Sequence, residues 1–206
     1  MKVLLINGSS HEHGCTATAL AEVAKELEAQ GIETSIRWLG VKPIRDCVAC
    51  GGCKNGGGCV FRDDPVNALV EEARNSDGFV FGTPVYYASA NGTVVSFLDR
   101  LFYSAPYDLT MKVGASVAVA RRGGTSATFD ELNKYFTISG MPVASSQYWN
   151  SIHGLALGEA KEDLEGLQTM RTLARNMTFL MKSIALGKEK FGLPETEQRI
   201  ATNFIR

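Results

Sequence analysis

The chain opens with an apolar run, Val3-Leu4-Leu5-Ile6, closed by Asn7 and Gly8, the pattern of a strand buried on both faces. Residues 16–30 then keep a 3.6-residue period through Ala17, Leu20, Ala21, Ala24 and Leu27, with Gly31 as a stop, which predicts a helix. A second strand is expected over 34–39. From Val41 to Asp64 the period is lost in a stretch carrying Pro43, five glycines and four cysteines. A gap of that length calls for a functional reason. The alternation then resumes: helix over 65–74 with Asp63 or Asp64 as its cap, strand 78–82, helix 92–103, strand 113–120, helix 126–138, strand 142–149 and a long helix over 159–184. The expected organisation is one domain over 1–186 with a Cys-rich insertion at about 43–64. Residues 187–206 form a C-terminal tail that packs on the body or on a partner subunit.

Five strands alternating with helices predict an α/β fold, a doubly wound five-stranded parallel sheet with helices on both faces. The flavodoxin-like order 2-1-3-4-5 suits that number, and it places ligands at the carboxyl ends of the strands, beside the switch point between strands 1 and 3. The segments to inspect are therefore those after Asn7, Gly82 and Ala120.

Charge excludes more than it suggests. The 21 basic and 22 acidic side chains leave a formal net charge of −1, which offers no bulk attraction to nucleic acid or an anionic membrane. No apolar run approaches the ~20 residues of a bilayer span, and no targeting segment is visible. The expected location is the cytoplasm, where thiols stay reduced and a framework of disulfides is not formed.

After strand 1 comes Gly8-Ser9-Ser10-His11-Glu12-His13-Gly14-Cys15-Thr16. It is neither the G-x-G-x-x-G dinucleotide fingerprint nor a P-loop, since five residues separate the glycines and Cys15 stands where the Lys belongs. It offers hydroxyls from Ser9, Ser10 and Thr16, and a helix N-terminus whose dipole favours an anion. A terminal phosphate suits it; so does a plain capped helix. After strand 3, Thr83-Pro84-Val85-Tyr86-Tyr87 presents two aromatics that can flank a ring system, or simply pack. After strand 4, Arg121-Arg122-Gly123-Gly124 combines N–H groups a flat ligand can approach with an Arg able to steady negative charge on it. Together the three loops describe a flavin mononucleotide pocket. His153 is a weaker candidate beside it. The serine hydrolase elbow G-x-S-x-G is absent, Gly114-Ala-Ser116-Val-Ala118 lacking the second Gly.

Cys47, Cys50, Cys53 and Cys59 give the spacing C-x2-C-x2-C-x5-C. This is near the bacterial ferredoxin run C-x2-C-x2-C-x3-C-P, with a longer last gap and no Pro. An iron–sulfur cluster, a structural zinc, a redox disulfide pair and an empty motif all remain open on the residues alone.

The loops Gly8-Ser9-Ser10 through Thr16-Ala17, Asp77 to Tyr86 and Arg121 to Gly124 resemble those of the NADPH-dependent FMN reductases and iron–sulfur flavoproteins of the flavodoxin superfamily. Tyr148-Trp149-Asn150 with His153-Gly154, Asp163 to Gly166 and the closing residues 202–206 are similar too. The resemblance covers nearly the whole chain. It implies FMN, a homodimer or homotetramer and a pocket completed partly by a second subunit. It carries the phosphate to Ser9, His11, Cys15, Thr16 and Ala17, with Ser10 alongside. It puts Thr83, Pro84, Val85, Tyr86 and Tyr87 beside the ring and ribityl chain, and Arg121, Gly123 and Gly124 along the isoalloxazine. Relatives often carry Arg and Asn where this chain has His11 and Cys15, so hydroxyls and the helix end bear more of the phosphate here. The four clustered cysteines resemble the compact 4Fe–4S motif of the iron–sulfur flavoproteins. The expected function is an FMN-dependent oxidoreductase that passes electrons from NAD(P)H to flavin, quinone or another small acceptor. The alternatives are an iron–sulfur electron carrier working with ferredoxin, and a non-catalytic zinc- or flavin-binding module.

Overall fold

Val3 and Leu5 face one side of the first strand and Leu4 and Ile6 the other, and all four are fully buried. That period-2 split sets the architecture. A computed structural model describes residues 1–198 and 200–202. Its elements run β1 (Lys2–Asn7), α1 (Cys15–Ala29), β2 (Glu33–Trp38), α2 (Val66–Arg74), β3 (Gly78–Tyr86), β4 (Ser89–Ala90) and α3 (Gly92–Ser104). They continue with β5 (Val113–Ala120), α4 (Thr125–Ile138), β6 (Ser151–His153) and α5 (Leu164–Phe191). The main sheet is parallel in the order β2-β1-β3-β5-β6, and β4 pairs antiparallel with β3 off its end. Leaving out β4, this is the flavodoxin-like order.

Each face of the sheet has its own core. Val3, Leu5, Val80 and Val117 pack with Leu20, Val23 and Leu27 of α1 and Met170, Leu173 and Met177 of α5. Leu4, Ile6, Phe79 and Phe81 pack with Leu69 and Val70 of α2, Phe97 and Leu101 of α3, and Phe136 of α4. Each such fully buried side chain contributes about 1.5–3 kcal/mol. After β1 the chain turns to the first layer, and after β3 it reaches α3 in the second. The two connections leave the sheet on opposite faces, and a crevice opens beyond the ends of β1 and β3.

Three departures from the pattern have local causes. Where a strand is expected over 142–149, the chain makes one parallel bridge, Val143 to Gly114, and leaves the sheet. It returns as β6 after a polar excursion closed by the Ser146 hydroxyl donating to Asn150 Oδ1 at 2.7 Å. The last helix starts at Leu164, because residues 159–161 form a separate 3-10 turn and Asp163 Oδ1 caps Gly166 N–H at 2.8 Å. It runs through Gly187 to Phe191 rather than ending at 184. The third strand runs past Gly82 to Tyr86 and turns back as a hairpin. Residues 192–198 are exposed; of the closing segment 202–206, residues 203–206 lie outside the described residues, as does Arg199. Among the described residues no helix is long and apolar enough to cross a membrane.

Candidate functional site

At the carboxyl ends of β1, β3 and β5 lies a cleft of ≈ 650 Å³. The loop after β1 makes its floor, and side-chain bonds hold that loop in shape. Asn7 Oδ1 accepts Ser9 N–H at 3.0 Å, Asn7 Nδ2 donates to Glu12 O at 3.1 Å, and Ser9 Oγ accepts His11 N–H at 3.1 Å. Trp38, ending β2, braces it from the side by donating its indole N–H to Ser9 O at 2.7 Å. Gly8 must be glycine, since a Cβ there would stand 2.8 Å from Val94 Cβ. That close approach brings α3 against the loop, where Asn91 caps α3 and also donates to Gly8 O.

The donors of this floor point where an anion would sit. α1 begins at Cys15 with no side-chain cap on its first turn, leaving the first N–H groups of the helix free to donate. Thr16 is 2% exposed, lines the cleft, and its hydroxyl makes no hydrogen bond among the described residues. Ser10 Oγ reaches Tyr86 O–H at 3.4 Å, linking floor to wall. Pro84, Val85 and Tyr86 form one wall; Val119, Ala120 and Arg121 line the side towards β5; Gly154, Leu155 and Leu157 close it. A phosphate end, an apolar and aromatic middle and a guanidinium at the far side match the parts of FMN, so these residues fit that cofactor.

Of the fourteen cofactor residues expected from sequence, Ser9, Ser10, His11, Cys15, Thr16, Pro84, Val85, Tyr86 and Arg121 come together in the cleft. Ala17 faces a shallower recess on the outer side of α1. Thr83 is fully buried, its hydroxyl donating to Pro84 O and accepting Asn91 N–H. Tyr87 is fully exposed at the hairpin tip, where it and Ala88 have φ of 52° and 60°, a left-handed pair that holds the tight turn at some strain. Gly123 and Gly124 lie beyond the cleft lining. His153 belongs to a neighbouring recess with Tyr148 and Glu165, its Nδ1 3.4 Å from Asp163 Oδ2. Trp38, Asn7 and Asn91 carry no motif. Their signal is position, two as the last residues of strands and Asn91 as the cap just before a helix.

Cys47, Cys50, Cys53 and Cys59 line a second, much smaller pocket of ≈ 20 Å³ with Arg100, Tyr103 and Ser104 of α3. None is in a disulfide. Their segment has one 3-10 turn, Gly52–Asn55, and no other regular element. Cys59 is tied to the body. Asn67 of α2 accepts its N–H at 2.8 Å and donates to Cys59 O at 3.1 Å and Phe61 O at 2.7 Å. Arg100 Nε donates to Cys59 Sγ at 3.1 Å. The same guanidinium makes a two-point contact with Asp64 and donates to Arg45 O. Side-chain exposure is 1% for Arg100 and 7% for Asp64, so the pair is desolvated. Burial alone would lower the Arg100 pKa, yet its bonds to Asp64 and Cys59 outweigh that and hold it above the usual value.

Four unlinked thiols around one pocket are the donor chemistry of an iron–sulfur cluster, and the Ser104 hydroxyl in the pocket wall is buried without a partner among the described residues. The space is closed to about one water in this conformer, and no three His, Cys, Asp or Glu side chains among the described residues gather around one ion. The donor set fits a cluster; to act as a ligand, Cys53 has to give up its bond to Tyr103 O of α3.

The chain is 32% identical over 195 residues to an iron–sulfur flavoprotein of Methanocaldococcus jannaschii, covering 89% of this chain and 99% of that one. Its fold is similar to that of RosB with a bound riboflavin-phosphate intermediate, with a TM-score of 0.68, 17% identity and 100% and 94% of the two chains covered. It is also similar to a flavodoxin from the domain Archaea, with a TM-score of 0.56, 11% identity and 90% and 99% covered. The family model described as NADPH-dependent FMN reductase matches residues 1–155. With the switch-point cleft, the flavodoxin-like sheet and this match, the chain belongs to the NADPH-dependent FMN reductase family.

Proposed function

We propose that the protein is an FMN-dependent oxidoreductase that also holds a 4Fe–4S cluster, and that it exchanges electrons with a partner such as ferredoxin. The observation that carries this reading is the pairing of a cleft suited to FMN with four free cysteines around a pocket at the other end of α3. The relative's name, iron–sulfur flavoprotein, supports it. Bound FMN would supply hydride and single-electron chemistry, the cluster single-electron chemistry alone. The chain's own part is positional. Ser9, Ser10, Thr16 and the start of α1 bind the phosphate, with Trp38 bracing their loop; Pro84 to Tyr86 confine the ring end, and Arg121 steadies charge on it. Cys47, Cys50, Cys53 and Cys59 hold the cluster.

A second reading, favoured by the family's description, is a reductase that takes electrons from NAD(P)H and passes them to flavin, quinone or another small acceptor. Either way a homodimer or homotetramer is part of the proposal, with exposed Tyr87, Leu155 and Leu157 at the rim as surface a second copy would cover, and the segment after α5, over 192–198, packing on the body or on that copy. The test is a visible spectrum of anaerobically purified protein with iron, sulfide and zinc assays, and a sizing column. Flavin bands with broad brown absorption and about four irons per chain support the first reading. Flavin without iron, together with NADPH oxidation, supports the second. A colourless protein that takes up no added FMN would sink both.

A further inference from the structure

Three of the four clustered cysteines sit on a loop with little structure, while the fourth does not. Cys59 is clamped through its backbone by Asn67 and through its sulfur by Arg100. Arg100 is in turn locked by Asp64, by Arg45 O and by the Phe61 ring, 5.2 Å from its guanidinium carbon. A fully buried arginine is rare enough to need a purpose, and a fork of five donors in fixed geometry can serve a carboxylate, a carbonyl and a sulfur at once. The contrast with Cys53 is informative. Its thiol donates to Tyr103 O at 3.6 Å, a bond that a thiolate ligand has to give up. The Cys59 sulfur is already an acceptor, the role it keeps when it binds metal.

We propose that Arg100 is a positioning residue for the iron–sulfur site: it fixes Cys59 as the pre-set corner on which the other three thiolates assemble, and its N–H to the ligand sulfur raises the reduction potential of the bound cluster. This rests on the cluster reading above. The physical reason is that reduction adds negative charge to the cluster and its sulfurs, and a hydrogen bond from a buried cation stabilises the more negative state. Outer partners of metal ligands commonly change affinity by about 10–100-fold when altered. Asp64 offsets the charge of Arg100 without removing the directed N–H, so the bond rather than the bulk charge is the active element.

The experiment compares anaerobically purified full-length wild type, Arg100→Lys and the doubly neutral Arg100→Gln/Asp64→Asn. Iron and sulfide per chain, the cluster midpoint potential, iron loss to a chelator and the Kd for FMN are measured on each. Arg100→Lys keeps a positive charge but cannot bond Asp64 on two points and reach Cys59 together. The expected result is a midpoint shifted to more negative values in both variants, chelation at least about 10-fold faster, and an unchanged Kd for FMN. Loss of iron with the FMN affinity intact also supports the proposal. Four irons and an unshifted potential in either variant would overturn it. Loss of FMN binding together with iron would overturn it too, because Arg100 would then be holding the fold rather than the sulfur. A wild-type protein without iron would end both this proposal and the cluster reading, which distinguishes the two failures.

Discussion

The cleft and the cysteine pocket sit at opposite ends of α3 and are held in different ways. The cleft is a product of topology: β1 and β3 send their chains into opposite layers, and the opening follows from strand order, with short bonds from Asn7, Ser9 and Trp38 trimming its floor. The pocket has no sheet beneath it. Its segment is tied to the main body by Asn67 and Arg100, by the Cys53 bond to Tyr103 O and by buried Ile44. Several neutral bonds brace the first site, whereas the second has a buried ion pair at its centre.

Breaking that pair is the strongest way to separate the two. Arg100→Ala leaves Asp64 charged and desolvated, and is expected to lower the unfolding free energy by about 3–5 kcal/mol in a urea titration. Apolar replacement of both partners, Arg100→Met with Asp64→Leu, should recover most of that loss. If Arg100→Ala weakens FMN binding in step with iron binding, the two sites are not independently held. Next in size, Thr16→Val with Ser9→Ala removes hydroxyl donors to a charged phosphate, each worth about 1.5–3 kcal/mol. FMN affinity measured by fluorescence quenching should fall while the iron content stays; an unchanged affinity would place the phosphate elsewhere. Trp38→Phe keeps an aromatic ring beside the loop after β1 and removes the N–H to Ser9 O, with an expected cost near 1 kcal/mol of FMN binding and none at the cysteines.

The smallest effect belongs to a residue outside both sites. Burial of Glu72 would raise its pKa, but hydrogen bonds from Arg37 and Ser35 and the nearby Lys2 hold it below the usual 4.5. With a depressed folded pKa, its stabilisation is fully present above the unfolded value and is lost as pH falls through the folded one. Glu72→Gln should therefore cost less than about 1 kcal/mol near neutral pH. The difference from wild type in urea midpoint should shrink below pH 4.5. A difference that persists at low pH would mean that charge is not what Glu72 contributes.

The two sites were also unequally legible. Apolar runs marked β1, β3 and β5, closed by Asn7 and Gly8 in the first and bounded by Gly78 and Gly82 in the second, and strand order then pointed to the crevice. Nine of the fourteen residues named from the loops after them line the cleft. Thr83 and Tyr87 do not, because β3 runs on past Gly82 into a hairpin, which turns one inwards and carries the other to an exposed tip. Spacing alone picked out the four cysteines as candidates, and they line one pocket. What could not be read was their anchorage: Arg100 lies in an otherwise amphipathic helix 41 residues from Cys59, and only the packing of α3 on the insertion brings them together. The fifth strand was misjudged for a similar reason, since the Ser146–Asn150 bond that lifts 145–149 off the sheet has no apolar signature.

Asp64 closes the insertion, and Arg100 grips both it and Cys59 from within the core of the main body, so the segment behaves as a graft whose aim is inherited from its stock. At 1.5 Å per residue the 13 residues of α3 make a rod of about 20 Å. Its near end touches Gly8 and its far end the thiols. The span between the two sites is thus set by a rigid part rather than by the pliable one. A loop exchanged between Cys47 and Cys53, with Cys59, Asp64 and Arg100 kept, is expected to leave that reach unchanged.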